Sequence, residues 1–191
     1  LNNMGVALMG KGDPEAAIGF FKQALKITPD DAEVYNNMGV ALMGKSDPEE
    51  AIKSYKQALI IKPHYVEAYL NACELYEKSN KLAELSEVIF KAKVALKELP
   101  SDLLFYEALY NYRTSNYDQC EKLISLIVFD QLDLQGKFKF QQLKAKVQHH
   151  QKDYQSAFNS FAEMNNSIID SSGYNFKESQ VFFDEILMRV K

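Results

Sequence analysis

Apolar and polar positions along this chain repeat at long range. The block NNMGVALMGK at Asn2 to Lys11 returns at Asn36 to Lys45, a shift of 34 residues, with about two-thirds of the aligned positions of the first two units identical. Asp13-Pro14 recurs as Asp47-Pro48, Ala17-Ile18 as Ala51-Ile52, Ala24-Leu25 as Ala58-Leu59, and Pro29 as Pro63. The pattern predicts one unit of helix, turn, helix and a proline-marked turn, used several times. No segment reads as a strand.

Local chemistry marks the same boundaries. An aspartate at the start of a helix accepts from its free N–H groups and proline suits the first helical position, so Asp13-Pro14 and Asp47-Pro48 predict helix starts, with Glu50 completing a capping box. Pro29 and Pro63 are expected to stop helices, because the ring lacks an N–H and clashes with the preceding turn. The third unit begins near Val66 and drifts. The next such proline is Pro100, which predicts a lengthened helix around Leu82 to Leu99. A fourth pair is expected over Asp102 to Thr114 and Tyr117 to Phe129, with Asn116 and Gln119 as a capping box. A fifth is expected over Phe138 to His150 and Tyr154 to Met164, with Asp153 as cap, Ala157 and Phe161 packed, and Ala145 as the small residue beside Lys144. After a turn at Ser171-Ser172-Gly173, Asn175 and Glu178 cap a last helix carrying Val181, Phe182, Ile186 and Val190.

In the second unit, Tyr35, Met38-Gly39, Leu42, Ala51, Tyr55, Ala58 and Pro63 follow a bulky, Leu-Gly, bulky, Ala, aromatic, Ala, Pro order. In these residues the chain resembles the tetratricopeptide (TPR) repeat family. The resemblance implies an all-α, right-handed superhelical solenoid of antiparallel helix pairs with a C-terminal capping helix. The expected division is an array over 1–170, with a truncated repeat at 1–31, a full one at 32–65 and divergent ones at 66–100, 101–133 and 134–167, then a turn and capping or linker helix over 171–191. Gly39, Ala51 and Ala58 are expected to let paired helices approach, while Tyr35, Leu42 and Tyr55 fill the space between units.

The same resemblance implies a partner: in TPR arrays the first helix of each pair lines a concave groove that holds a protein or an extended peptide. Asn3, Asn37 and Asn71 share one inward position and form a candidate ladder, similar to that of O-linked N-acetylglucosamine transferase TPRs. An amide donates and accepts, so it can pair with peptide backbone without reading sequence. Asn2, Val6, Met9, Asn36, Val40 and Met43 surround it, followed by acidic Glu67, Glu74 and Glu77. TPRs that clamp chaperone C-termini place Lys and Arg there. With Glu67 and Asn71 in the third unit and Val6 in the first, that use is disfavoured.

The chain from Gln135 onward, KDYQSAFNSFAEMN then GYNFKESQVFFDEIL, resembles the arm that joins TPR arrays to a sulfotransferase in some bacterial proteins. That suggests a second reading, the docking arm of a larger sulfotransferase or glycosyltransferase whose catalytic domain lies elsewhere. No phosphosulfate-binding loop is present in the sequence, so no catalytic residue is assigned.

Composition narrows the rest. The 191 residues are 47% hydrophobic and 25% charged, which suits a folded core. A net charge of −4 gives no general attraction for nucleic acid or anionic lipid, and no run of about 18 apolar residues spans a bilayer. The chain opens LNNMGVAL, with neither an initiator Met nor a secretory signal, and is expected to be a piece of a longer protein. Cys73 and Cys120 lack metal-type spacing and are expected to be reduced cytoplasmic thiols.

Gly39 to Ser46 spell GVALMGKS, the phosphate-loop pattern, yet the register places them in a helix and the sister copy ends in Gly12. No nucleotide is expected there. His149 and His150 are adjacent and point about 100° apart on a helix, and His64 stands alone at a turn, so no metal or other cofactor and no enzymatic activity is expected.

Overall fold

The computed structural model describes residues 1–172, with side chains described through Met164. Those residues form ten α-helices and one short 3-10 helix, with no strand among them. They divide into two compact units, the first Leu1–Leu99 and the second beginning at Pro100.

The first unit holds α1 (Asn2–Gly10), α2 (Pro14–Ile27), α3 (Ala32–Gly44), α4 (Pro48–Ile61), α5 (Val66–Lys78) and α6 (Leu82–Leu96). They form three helix pairs, and α2 and α4 each also touch the first helix of the next pair. Asp13 accepts from Ala16 N–H at 3.0 Å and Asp47 from Glu50 N–H at 3.3 Å, with Pro14 and Pro48 at the first helical positions as expected. The Glu50 side chain pairs instead with Lys53, so the reciprocal half of the capping box does not form. Asp31 adds a cap that the sequence reading lacks, accepting from Glu33 and Val34 N–H. α2 and α4 end two residues before Pro29 and Pro63. α6 stops at Leu96, short of the expected Leu99, because Lys97 turns left-handed at φ +61°.

Contact between paired helices comes from small residues under large ones. A methyl added at Gly5 would lie 2.7 Å from Phe21 Cζ, and one at Gly39 would lie 2.7 Å from Tyr55 Cδ1. Neither position has room for a side chain. Tyr55 therefore fills space within its own pair, and its hydroxyl also comes near enough to Glu74 of the next pair to feel that charge, in line with the expected place between units. Tyr35 packs beside the Ala32, Ala58 and Ala68 cluster, and Ala51 is fully buried.

The second unit holds α7 (Ser101–Arg113), α8 (Tyr117–Leu126), the 3-10 turn Phe129–Gln131, α9 (Leu134–His150) and α10 (Tyr154–Ser172). Asn116 donates to Asn111 Oδ1 at 2.9 Å and makes no cap bond, so the expected box with Gln119 is absent. α8 ends at Leu126 rather than Phe129. α9 starts four residues before Phe138, because Asp133 caps it through Gly136 N–H. Asp153 caps α10 through Ser156 N–H, and Ala145, Ala157 and Phe161 are buried together as expected, with Lys144 half-buried. Ser171 and Ser172 continue α10 where a turn was expected. The expected last helix, with Asn175, Glu178, Val181, Phe182, Ile186 and Val190, lies outside the described residues.

Candidate functional site

α1, α3 and α5, the first helices of three successive pairs, lie side by side. Asn3 is exposed on α1, and Val6 and Val40, one repeat apart, are 48% and 39% exposed. Asn37, Asn71, Met9 and Met43 are half-buried beside them. The repeat has thus placed the same side-chain types at the same register of adjacent helices.

The asparagines are linked. Asn37 Nδ2 donates to Asn2 Oδ1 at 3.1 Å, and Asn71 Nδ2 makes the equivalent bond to Asn36 Oδ1 at 2.9 Å. Each bond joins one repeat to its predecessor. Asn2 Nδ2 in turn donates to Glu33 Oε1 at 2.9 Å. Asn36, 6% exposed, is an interior residue rather than the groove-lining one expected, because α5 covers it and its oxygen serves Asn71. Leu70 holds the same register in the third unit, so the chain of bonds ends there. An amide carries two N–H groups and an oxygen with two lone pairs, so Asn37 and Asn71 keep donor and acceptor capacity beyond these bonds.

At the α5 end the charge is mainly negative. Glu67 is exposed, Glu74 and Glu77 are half-buried, and Lys78 answers Glu74 at 2.8 Å. Burial, helped by the Glu74 charge, pushes the Tyr55 hydroxyl well above its ordinary range, which keeps it neutral.

The phosphate-loop spelling falls on the wrong architecture. Gly39 to Gly44 are the last turns of α3, Lys45 is its C-cap and Ser46 turns left-handed at φ +62°. A helix C-terminus presents carbonyl oxygens and partial negative charge, the opposite of a phosphate cradle. Lys45 pairs with Glu15 at 2.8 Å. The histidines make ordinary contacts: His64 Nδ1 donates to the Ala95 carbonyl at 2.7 Å, His150 stacks on Tyr117 and His149 meets the edge of Tyr154. Among the described residues no group of three His, Cys, Asp or Glu could hold a metal, and no helix is long and apolar enough to cross a membrane.

Residues 32–65 match the tetratricopeptide repeat family and residues 5–46 match a second TPR repeat family. Residues 5–65 carry tetratricopeptide repeats. No curated protein matches the chain in sequence. In structure it is similar to MamA 41-end from Desulfovibrio magneticus RS-1, with a TM-score of 0.70, 16% identity, and 89% of this chain and 94% of that one covered. It is also similar to PilW, a type IV pilus biogenesis factor, with a TM-score of 0.78, 16% identity, and 99% and 84% covered. A thermophilic TPR protein of Thermus thermophilus aligns with a TM-score of 0.63, 17% identity, and 98% and 97% covered. At these identities the likeness shows the fold, an all-helical TPR solenoid. The comparisons lend no support to the sulfotransferase-arm resemblance.

Proposed function

We propose that the chain is a non-catalytic cytoplasmic scaffold whose α1, α3 and α5 face captures an extended segment of another protein. The observation that carries the reading is the recurrence of Asn3, Asn37 and Asn71 at one register of three neighbouring helices, flanked by exposed Val6 and Val40. Amides hold peptide backbone, and the valines and Met9 and Met43 accept apolar side chains. Glu67, Glu74 and Glu77 favour a segment with basic residues at one end. Two buried free thiols support a reducing compartment.

Asn3 is the clean probe, because it is exposed and its side chain makes no hydrogen bond among the described residues, whereas Asn37 and Asn71 also tie repeats together. Partners are captured from a lysate, one bound peptide is identified, and it is titrated against wild type, Asn3→Ala and the triple Asn3, Asn37 and Asn71→Ala variant. Each neutral bond contributes about 0.5 to 1.5 kcal/mol, so Asn3→Ala weakens binding by roughly two- to ten-fold and the triple variant by roughly ten- to a thousand-fold. Equal affinities with folded proteins overturn the reading.

A further inference from the structure

The opposite helices of the first unit carry a second surface. Between α4 and α6 lies an open cleft of about 450 Å³, floored by Tyr69 and Tyr76 of α5, with Ile60 on one side and Phe90 and Val94 on the other. Tyr69 and Tyr76 are buried, while Ile60, Phe90 and Val94 are 71%, 66% and 69% exposed. α4 packs against α3 and α5, and α6 packs against α5, so the cleft between them stays open.

The repeat itself supplies the control. Phe90 holds the register of Lys22 and Lys56, and Val94 that of Lys26 and Ile60, so positions that are both lysine in the first repeat are both apolar by the third. Lys22 and Lys26 are exposed on α2, where the same fold tolerates charge. The fold therefore does not require apolar side chains here. Exposed apolar residues bordered by charge mark a contact surface.

We propose that this cleft docks an amphipathic helix of a partner protein, apolar on the face turned to Tyr69 and Tyr76 and acidic along its border. A strand has nothing to pair with, because α4, α5 and α6 use their backbone groups internally, whereas a helix brings its own bonds satisfied. The lining residues run from Lys56 past the end of α4 to Pro63 on one side and from Glu87 to Ala95 on α6, the latter spanning roughly 12 Å, about two turns of an occupant. Charge sets the border. Two lysines, Lys56 and Lys91, line the cleft against one carboxylate, Glu87; Lys91 answers it at 2.6 Å and the Lys56 charge also acts on it, so the lining keeps an excess of positive charge. An acidic border on the partner completes that set. This surface is separate from the asparagine register.

The probe is a synthetic peptide of about 18 residues with leucines at i, i+3, i+4 and i+7 and glutamates beside them, long enough to hold a helix when docked. A lysine-bordered version and a scrambled version of the same composition accompany it. Fluorescence polarisation is measured on the full chain, on Phe90→Lys with Val94→Lys, which restores the residues of the first repeat, and on Lys56→Glu, with far-UV circular dichroism confirming folding.

The glutamate-bordered peptide binds wild type about tenfold or more tightly than the scrambled one and the Phe90, Val94 variant loses that binding. Lys56→Glu reverses the preference towards the lysine-bordered peptide. Equal binding of the scrambled peptide, or an unchanged preference in Lys56→Glu, overturns the proposal. So does sedimentation showing that wild type pairs with a second copy through Phe90 and Val94, because the occupant is then the chain itself.

Discussion

The Tyr55 ring occupies the space that a side chain at Gly39 would need, and one repeat earlier the Phe21 ring does the same at Gly5. The third unit solves the same packing problem with different volumes. Cys73 holds the register of Gly39 and Ile89 that of Tyr55, and both are buried. A larger residue on the first helix is matched by a smaller one on the second.

This complementarity is testable by exchange. Gly39→Cys should destabilise the array by about 1 to 3 kcal/mol, since the new side chain meets the Tyr55 ring. Tyr55→Ile alone should also destabilise it by about 1 to 3 kcal/mol through the lost volume. The double variant should be more stable than the sum of the two predicts, by about 1 kcal/mol or more, in urea titrations of all four proteins. Strict additivity would show that the two positions do not share one packing volume.

The same residues explain what is legible in the sequence. Helix pairing, the Asp13, Asp47 and Asp153 caps and the small positions Gly39 and Ala145 follow from contacts local to one repeat, which its chemistry encodes. The bond from Asn71 to Asn36 does not, because it depends on how α5 lies on α3. Burial of Asn36 has the same origin. Asn116 reads as a cap because an amide that suits a cap also suits the Asn111 side chain, and only tertiary packing chooses. The α4 to α6 cleft does leave a signal in the sequence, the exchange of Lys22 and Lys26 for Phe90 and Val94, but that exchange gains meaning only once the helices on either side of it are placed.

For the GVALMGKS segment the expected outcome is inactivity. Lys45 is exposed beyond the end of α3 and its pair with Glu15 is a surface one, so Lys45→Ala should change stability by less than about 1 kcal/mol. ATP with Mg²⁺ should give no saturable heat by calorimetry and no thermal shift. Micromolar binding lost in Lys45→Ala would overturn the helical assignment of these residues.

The turn inside each pair has a fixed conformational demand. Gly12, Ser46, Asn80, Ser115 and Lys152 all have positive φ, from 56° to 78°, and only the first is glycine. A left-handed conformation costs a residue with a Cβ about 1 to 2 kcal/mol, part of which glycine returns through its greater freedom when unfolded. Ser46→Gly and Ser115→Gly should each stabilise the protein by about 0.5 to 1 kcal/mol, read as a higher denaturation midpoint, and Gly12→Ala should lower it. A fall in midpoint for both serine variants would mean that the serine hydroxyls make contacts outweighing the backbone term.

The last prediction concerns the thiols. Burial pushes Cys73 up to about 12 and Cys120 up to about 11, the latter despite a backbone hydrogen bond to Tyr112 acting the other way. In an unfolded chain a thiol ionises near about 8.5. Each folded value lies above the unfolded one, so above about pH 8.5 the unfolded state sheds protons that the native state keeps. Stability should therefore be unaffected by these groups below that pH and should fall as pH rises towards 11. For Cys73 alone the slope reaches up to about 1.4 kcal/mol per pH unit. Urea titrations at successive pH values on wild type and Cys73→Ala isolate this part, because the substitution removes the slope whatever it does to the midpoint. At pH 8 the same burial should leave both native thiols unreactive towards Ellman's reagent, with both reacting in denaturant. Native reaction at the rate of free cysteine, together with parallel pH profiles for the two proteins, would place Cys73 outside the core and with it the packing match to Ile89.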